Sequence, residues 1–577
     1  MILDASNFPD GHQLSAHICI VGAGAAGISL ALALEDAGLD VLLLESGGLK
    51  AEHETQDLYQ GTVSDEHLHS LPDRYRQRRF GGSTTIWGGR CVPFDPIDFE
   101  ARPWIPHSGW PIAYGDLLPY YGKANELCEA GSFAYTVGKA FEAEPRAMIV
   151  GFKSPHFSTD TLERFSCPTD FGRRYGAYLR ASTRVTVLLH ANVTALSLNN
   201  AGSALNGATV STLNGRTMTV RADQFVLAAG GLEVARLLLS NRDVHSNGIG
   251  NNSDLVGRYY MCHMAGTIGA IKLNQPNKVH HGYDVDMNGV YCRRRFALSS
   301  ATQRQHRIGN FVARLHHPRI TDPAHRTGLL SLLYLAKGII PYEYGKRLHG
   351  EEHLSAQAIL LHLRNVICDP FGTALFLIHW LRYRTLAKRK FPSIIIKPRA
   401  GLYSLDFHAE QEPNPNSRVR LGTLRDALGI QQLDIDWRYT EGDVLTVKRA
   451  LALLSDDLRC SEVGSFEYDI DSVELEMTRY GAYGGHHLGT ARMGSDPRNS
   501  VVDSNCRMHG IDNLFIASSA VFPTSSQANP TLTIVALALR LADHLKAVAN
   551  RRQYVSAANP ERAPRNEKAS PVPESIT

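Results

Sequence analysis

Two histidines and an asparagine near the C-terminal end carry the side chains best suited to moving a proton. His486 and His487 stand in Tyr483-Gly484-Gly485-His486-His487-Leu488-Gly489-Thr490, which runs on as Ala491-Arg492-Met493-Gly494. Asn529 stands in Ala528-Asn529-Pro530-Thr531-Leu532-Thr533, at the start of an apolar helix expected to reach about Val548. A neutral imidazole can take a proton from a hydroxyl while the carbon beside it gives up hydride. The histidines are neighbours, so an extended chain points them to opposite faces and only one serves a given cavity. A lone histidine also reads as a hydrogen-bonded structural residue, and Asn529 as an N-cap before a first-turn proline. A helix start aimed into a cavity does more: it favours an anion there. Between these pieces, Asp512-Asn513-Leu514-Phe515-Ile516-Ala517-Ser518-Ser519 reads as an apolar strand ending in small residues.

A second pattern lies at the opposite end. Gly22, Gly24 and Gly27 follow the apolar run Ile18-Cys19-Ile20-Val21. A helix-like run from Ile28 to Ala37 then leads through Gly38 to Val41-Leu42-Leu43-Leu44 and Glu45. This is a βαβ unit over residues 16–48. Gly22 permits the tight turn, Gly24 lets a pyrophosphate approach the backbone, and Gly27 lets helix and strand pack closely. The helix N-terminus offers free N–H groups to the phosphates. Glu45 can accept hydrogen bonds from two ribose hydroxyls, and an acid here argues against a 2′-phosphate and so against NADP. With strands, helix and acid in register, the unit predicts a dinucleotide site.

These patches need elements to hold them. Phe80-Gly81-Gly82-Ser83-Thr84-Thr85-Ile86-Trp87-Gly88-Gly89-Arg90 is too glycine-rich for a regular strand or helix, and is expected to run extended against a flat ligand. A helix is expected over 116–130. Strands are expected at Val185 to Leu189, Val193 to Leu198, Met218 to Val220 and Phe225 to Ala229, the last followed by Gly230-Gly231 and a helix from Leu232 to Leu239. Gly266 to Ile271, Ile308 to Leu315, Gly401 to Leu405 and Arg418 to Leu421 read as strands of a mostly antiparallel sheet over 266–478. Residues 1–15 read as a loose leader, and 551–577, rich in proline and charge, as a disordered tail.

The chain has 577 residues, enough for two or more domains, and a net charge of +3 with basic and acidic residues interleaved. That balance gives no sign of a nucleic-acid partner. Nine dispersed cysteines include no CxxC, so no zinc site or attached haem is indicated, no metal is expected, and a reducing, cytoplasmic setting fits. The N-terminus lacks the pattern of a secretory signal. No apolar run reaches transmembrane length. Within an apolar insertion at 329–398, however, Leu329 to Ile340 and Phe371 to Leu381 stand out, the second followed by Arg382, Arg384, Lys388, Arg389 and Lys390. Two readings stay open: a pair of buried helices, or peripheral contact of 329–390 with the inner face of an anionic membrane.

Taken together, the motifs resemble the glucose–methanol–choline (GMC) oxidoreductases, a flavoprotein family. The likeness covers most of 15–135, 170–265 and 400–548. GxGxxG with Glu45 resembles that family's adenosine-diphosphate site for FAD, and GGSTTIWGG its second flavin segment. LAAGG resembles its internal crossing, and HxxGTxRMG from His486 with ANPTLT its catalytic end. The His/Asn pairing and the Trp110-Pro111-Ile112 to Tyr120-Tyr121 segment resemble sugar-oxidising members most. The resemblance implies an α/β, two-domain chain: a Rossmann-like FAD-binding domain and a discontinuous substrate-binding domain on a mostly antiparallel sheet. The FAD domain would be 15–265, with a covering segment at about 80–130, and 479–548; the substrate domain would be 266–478.

The same resemblance makes His486 the base and has Asn529 hydrogen-bond the reacting hydroxyl, with His487 the weaker candidate. It places FAD against Gly22, Gly24, Ala25, Ala26, Gly27, Glu45, Ser46, Gly81, Gly82, Ser83, Thr84, Trp87, Gly88, Gly89, Val193, Ala229, Gly230, Ser519, Asn529, Pro530 and Thr531. Ile86 stands where some relatives carry a flavin-linking histidine, so FAD is expected to be non-covalent. The expected reaction is oxidation of a CH–OH group on a sugar, glycoside or related alcohol, with hydride passing to flavin N5 and electrons onward to oxygen, a quinone or a protein. A membrane-surface dehydrogenase acting on a lipid-linked glycan is one alternative; an FAD-binding module without turnover is another. An NAD-dependent enzyme is disfavoured by the second glycine segment and the remote C-terminal motif.

Overall fold

The computed structural model describes residues 1–143, 145–336, 355–396, 401–479 and 485–558. Apolar runs separated by glycine turns build an eight-stranded sheet. Its order is Ile2–Asp4, Val185–Leu189, Val41–Leu44, His12–Val21, Thr217–Leu227, Leu205–Ser211 and Asn192–Leu198. Neighbours as far as Thr217–Leu227 run parallel, and the remaining two strands are antiparallel. Leu514–Ile516 pairs in parallel with the far end of Thr217–Leu227, in the register Phe225 to Leu514 and Leu227 to Ile516. This pairing brings the C-terminal motif to the sheet edge where the glycine turn leaves Val21. The helix Thr531–Ala558 packs on the helices Ala25–Glu35 and Tyr114–Leu127, burying Leu532, Val535, Ala538, Ala542 and Leu545.

A second, six-stranded antiparallel sheet has the order Gly464–Glu467, Met264–Leu273, Leu402–Ala409, Phe311–His316, Phe296–Leu298 and Phe157–Ser158. The helix Glu441–Cys460 packs against it and starts with a reciprocal cap between Thr440 and Asp443. The sheet matters to the site because the chain enters Met264–Leu273 straight from His263. Just before, Met261 exchanges backbone hydrogen bonds with Leu488. The substrate-side sheet is thereby pinned to the histidine segment.

Several elements depart from the sequence expectation. Residues 1–15 are not loose: Ile2–Asp4 is a sheet strand, the Met1 amine donates to the carbonyls of Leu179, Ser182 and Val185, and His12 begins the next strand. Three residues are too few to show a strand period, which concealed this. The second glycine segment does not run extended; Gly82–Thr85 closes a 3₁₀ turn before the strand Arg90–Cys91. Thr217–Leu227 is one strand, its two halves backed by different neighbours. The C-terminal helix continues to Ala558, into the expected tail; residues 559–577 of that tail lie outside the described residues. Of the insertion at 329–398, residues 337–354 and 397–398 likewise lie outside them. Its helix Gly328–Leu335 buries Leu329, Leu330 and Tyr334, whereas Ala356–Cys368 and Pro370–Trp380 expose most of their apolar residues. Of the expected buried pair, the described part of Leu329 to Ile340 is therefore buried and Phe371 to Leu381 is not.

The glycine turn separates two demands. Gly22 has φ +107°, and a Cβ there would lie 2.7 Å from the Ala228 carbonyl oxygen. A Cβ on Gly27 would lie 1.9 Å from the Gly22 oxygen, whereas one on Gly24 would meet nothing within 4 Å. We expect Gly27→Ala to destabilise the fold by about 3 kcal/mol or more. Gly24→Ala should stay within about 1 kcal/mol of the parent. Midpoints of urea unfolding check the pair, and equal losses would contradict it.

Candidate active site

Sheet topology and close backbone contacts bring all four motifs together. A Cβ on Gly82 would lie 3.0 Å from the Gly24 Cα, so the second glycine segment lies against the first turn. The Gly81 N–H donates to the Ala23 carbonyl at 2.9 Å. The Gly22 turn abuts Ala228 and Ala229, and a Cβ on Gly231 would lie 2.3 Å from the His487 carbonyl oxygen. The two glycines after LAA thus differ: Gly230, at φ +79°, faces open space, and Gly231 makes room for the histidine backbone. Ser519 Oγ donates to that same His487 carbonyl at 2.7 Å, and the Gly489 N–H donates to the Ser519 carbonyl at 3.0 Å.

His486 and Asn529 meet across the closing loops. Asn529 Nδ2 lies 3.0 Å from His486 Nε2, and both residues are half-buried. The helix itself begins at Thr531, with the Ile534 N–H donating to the Pro530 carbonyl, so the Asn529 amide serves His486 rather than the helix end. On the other side of the ring, His486 Nδ1 lies 3.1 Å from His263 Nδ1. His263 Nε2 lies 3.1 Å from the Ala528 carbonyl oxygen. Burial drives the His263 imidazole down to about 4, so it is neutral at pH 7 and carries one ring proton. A carbonyl only accepts, so that proton sits on Nε2 and His263 Nδ1 is an acceptor. His486 then donates from Nδ1, which leaves its Nε2 with a lone pair facing the Asn529 amide. One protonation pattern satisfies the series from Ala528 to Asn529.

His487 points away into the interior. Its Nδ1 lies 2.5 Å from the Tyr260 hydroxyl, which also meets His69 Nε2 at 2.8 Å; His69 Nδ1 lies 2.5 Å from the Ser70 carbonyl oxygen. The same logic runs here in one direction. His69 donates to Ser70, Tyr260 donates to His69, and His487 donates to Tyr260. His487 Nε2 is buried with no hydrogen-bond partner. Burial, then the charges of Arg76, His69 and His486, hold the His487 imidazole well below its ordinary value; burial holds His69 at about 4. Nδ1, Nε2 and Sγ atoms of His69, His487 and Cys262 cluster, but the Tyr260 hydroxyl bridges them, with Cys262 Sγ 3.4 Å from it. Hydrogen bonds through Tyr260 thus link the three side chains.

The loop carrying Asn529 is held from beneath. Trp110 Nε1 donates to Thr524 Oγ1 at 2.8 Å, Ser526 Oγ to Asp98 at 2.6 Å and Gln527 Nε2 to Asp95 at 3.2 Å. Arg295 donates to Gln527 Oε1 at 3.1 Å. Burial, then the neighbouring charges of Asp95 and Glu410, push Asp98 up to about 8. His263, Tyr260, His69 and this carboxylate pair carry no local sequence signal. Their partners lie hundreds of residues away, and only the fold joins them.

The N-terminal residues fit a dinucleotide. The helix Ala25–Glu35 has no side-chain cap, so its first N–H groups, at Ala25 and Ala26, face the open space at Gly24. The helix Gly230–Ser240 is likewise uncapped, beside open Gly230. Glu45 is buried and already accepts from the Ala23 and Gly47 N–H groups, both at 3.0 Å, and from Ser46 Oγ. Burial raises its carboxyl above the usual range despite those bonds, and one lone-pair site, on Oε2, remains for a further donor. Val193 is half-buried on the strand that follows Ala191, whose N–H donates to the Glu45 carbonyl. Thr84 Oγ1 is engaged by the Gly81 carbonyl and the Phe171 N–H, and Trp87 Nε1 by the Thr169 carbonyl, so these two side chains shape the segment. Ser83, Ile86 and Gly88 are exposed beside them, and Gly89 is buried.

Residues 17–331 match the family model of FAD dependent oxidoreductases, and residues 413–538, which include His486 and Asn529, match that of GMC oxidoreductases. The chain is 26% identical to paromamine 6'-oxidase of Streptomyces fradiae, over 92% of this chain and 91% of that protein. It is 24% identical to 6'''-hydroxyparomomycin C oxidase of Streptomyces lividus, over 92% of each. It is 25% identical to the fructose dehydrogenase large subunit of Gluconobacter japonicus, over 92% of this chain and 97% of that one. Among solved structures, pyridoxine 4-oxidase from Mesorbium loti shares the fold with TM-score 0.52 at 18% identity, over 91% of this chain and 98% of that one. Formate oxidase does so with TM-score 0.52 at 18% identity, over 94% and 100%. The chain therefore belongs to the FAD-dependent oxidoreductases, in the GMC family, and its cofactor is FAD.

Proposed function

We propose that the chain oxidises a CH–OH group on a sugar, glycoside or related alcohol to the carbonyl, with His486 as the base and Asn529 as the group that orients the hydroxyl. The observation that carries this reading is the lone pair on His486 Nε2, held 3.0 Å from the Asn529 amide. When a substrate hydroxyl enters, its O–H takes the place of the amide at Nε2. Asn529 then donates to the substrate oxygen instead, so its two N–H groups let it serve both states. His486 receives the proton at Nε2, and the resulting positive ring keeps its Nδ1–H on His263. FAD, when bound, supplies the two-electron acceptor for the hydride leaving the carbon.

The residues that would hold FAD are the amides of the Gly22–Gly27 turn for the diphosphate, with Glu45 and Ser46 for the ribose. Gly81 to Gly89, Val193, Ala229, Gly230, Ser519 and the Asn529–Thr531 helix start would meet the rest of it. Ile86 has no nucleophile, which supports a non-covalent cofactor. We assign the FAD-binding parts to 15–265 and 479–548 and the substrate-binding part to 266–478. Relatives named for fructose and paromamine support a carbohydrate-like alcohol. A second reading, an amphiphilic alcohol such as a lipid-linked glycan, is favoured by the exposed apolar helices of the insertion.

His486→Ala should retain FAD and slow anaerobic flavin reduction by a good alcohol by roughly 10²- to 10⁴-fold in stopped flow. An unchanged rate would remove His486 from the mechanism. His263→Leu removes the acceptor that fixes the His486 tautomer, and should lower the reduction rate roughly tenfold without altering apparent alcohol affinity. His263→Gln, which keeps a donor and an acceptor, should restore most of it. Equal rates in these two variants would show that His263 only fills space.

Stability should also depend on pH. His69 and His263 have folded values near 4, below the unfolded value near 6.5, so the native state binds fewer protons between them. Their stabilising contribution is complete above about pH 6.5 and is lost as pH falls toward 4, on the order of 3 kcal/mol for each ring. Thermal unfolding across this range should show the loss, and His69→Gln should flatten it. A parent midpoint that does not fall between pH 6.5 and 4 would contradict the assignment.

A further inference from the structure

Two helices of the insertion wear their amphipathicity inside out. Ala356–Cys368 turns His362 and Asn365 inward. His362 Nδ1 meets Ser331 Oγ at 2.9 Å, and Asn365 Nδ2 donates to the Pro323 carbonyl at 2.8 Å. The opposite face presents Leu360, Leu363 and Ile367, at i, i+3 and i+7, to solvent; Ile367 is 76% exposed. In Pro370–Trp380 the one buried residue is Thr373, while Phe371 is 83% and Leu375 68% exposed, in line with Ile378, and Leu377 and Leu381 are exposed beside them. Folding alone does not select this arrangement, because a helix docked on a protein body normally buries its apolar stripe. An apolar patch of this extent marks a contact surface.

Charge identifies the other side of the contact. From residue 355 to 396 the chain has six basic residues, Arg364, Arg382, Arg384, Lys388, Arg389 and Lys390, against one acidic residue, Asp369. That excess of +5 exceeds the +3 of the whole chain. Two of the cations are tied inward. Arg389 donates to the Phe165 and Glu129 carbonyls, at 2.9 and 3.0 Å, and Arg384 to those of Phe391 and Pro392. Arg389 clamps the end of the insertion to the body and Arg384 folds that end back on itself, while Arg382, Lys388 and Lys390 are exposed. Trp380 lies under Arg384 and stacks with Phe376, placing aromatic rings between the apolar and basic zones. Among the described residues no helix is long and apolar enough to cross a membrane.

We infer that Ala356–Cys368 and Pro370–Trp380 dock the protein in the plane of an anionic phospholipid surface. Leu360, Ile367, Phe371, Leu375 and Ile378 enter the acyl boundary, while Arg382, Lys388 and Lys390 lie among the headgroups. An apolar partner surface alone would leave these cations unmatched; anionic lipid satisfies both zones. The inference does not depend on the chemistry at His486, because none of the docking residues belongs to that site.

Flotation of the full-length, FAD-loaded protein with phosphatidylcholine vesicles, with and without phosphatidylglycerol, tests it. The parent should float with the anionic vesicles, less so at high salt. Leu375→Glu with Ile378→Glu should lower the floating fraction by ~10-fold or more. Arg382→Glu with Lys388→Glu and Lys390→Glu should abolish the preference for anionic lipid. In every variant, FAD content and turnover of a soluble alcohol should match the parent. A parent that floats with neither vesicle overturns the inference, as does flotation unaffected by the glutamates. So does a parent that forms an oligomer in solution, dissociates on Leu375→Glu and does not float; a second copy is then the occupant. Loss of turnover in His486→Ala bears on the chemistry alone and leaves the docking result to stand or fall separately.

Discussion

The contact between the Asn529 amide and His486 Nε2 sets the terms for the rest of the molecule. It joins two segments that neither share an element nor follow one another, so its geometry is only as good as the two supports behind it. One support is the backbone pairing of Leu488 with Met261, with Ser519 on the His487 carbonyl. The other is the set of groups under residues 524–528: the side chains of Trp110, Asp98 and Asp95, and the Gln411 N–H, which donates to Ser525 Oγ. A hydroxyl placed between such groups needs them fixed to a fraction of an ångström, which regular elements supply better than free loops.

The supports are polar and buried, which is an expensive way to build them. Arg102 and Glu410 form a fully buried bidentate pair, and Arg314 pairs with Glu163 and Asp406. Such pairs rarely add net stability, since desolvation cancels much of the attraction. Their effect is directional. A bidentate pair has one good geometry, and Glu410 Oε2 also accepts from the Asn310 N–H, while the Asn310 amide reaches Asp95 and Asp98. Position passes from the second sheet through these bonds to the loop ahead of Asn529. An apolar replacement could match the stability but would lose the register.

How much of this could be read in the sequence follows from how local each feature is. The βαβ unit was legible because its demands fall within about thirty residues: a turn with φ > 0, a close helix–strand crossing, an acid after the second strand. His486 and Asn529 were legible through short motifs. The strand Ile2–Asp4 was not, because three residues give no periodicity, and its partner lies beyond residue 180. Nor was the 3₁₀ turn at Gly82–Thr85, where glycine content indicates freedom without saying which conformation is used. His263 stood in the sequence with nothing to mark it. Its meaning comes from a contact spanning 223 residues, and no window of sequence contains both rings.

The adjacent histidines show why the pair Gly230-Gly231 does two jobs. If His486 is to face the cleft, His487 must face the interior, and a buried imidazole needs partners. Tyr260 and His69 supply them on one side only, which anchors the backbone between the two rings. That anchored backbone presses on Gly231, where any side chain would collide with the His487 carbonyl. Gly230, one residue earlier, is free of that contact and opens toward the uncapped helix start. The motif therefore divides its glycines between open space and the His487 backbone. The second is required by His487, a demand that the turn itself would not impose.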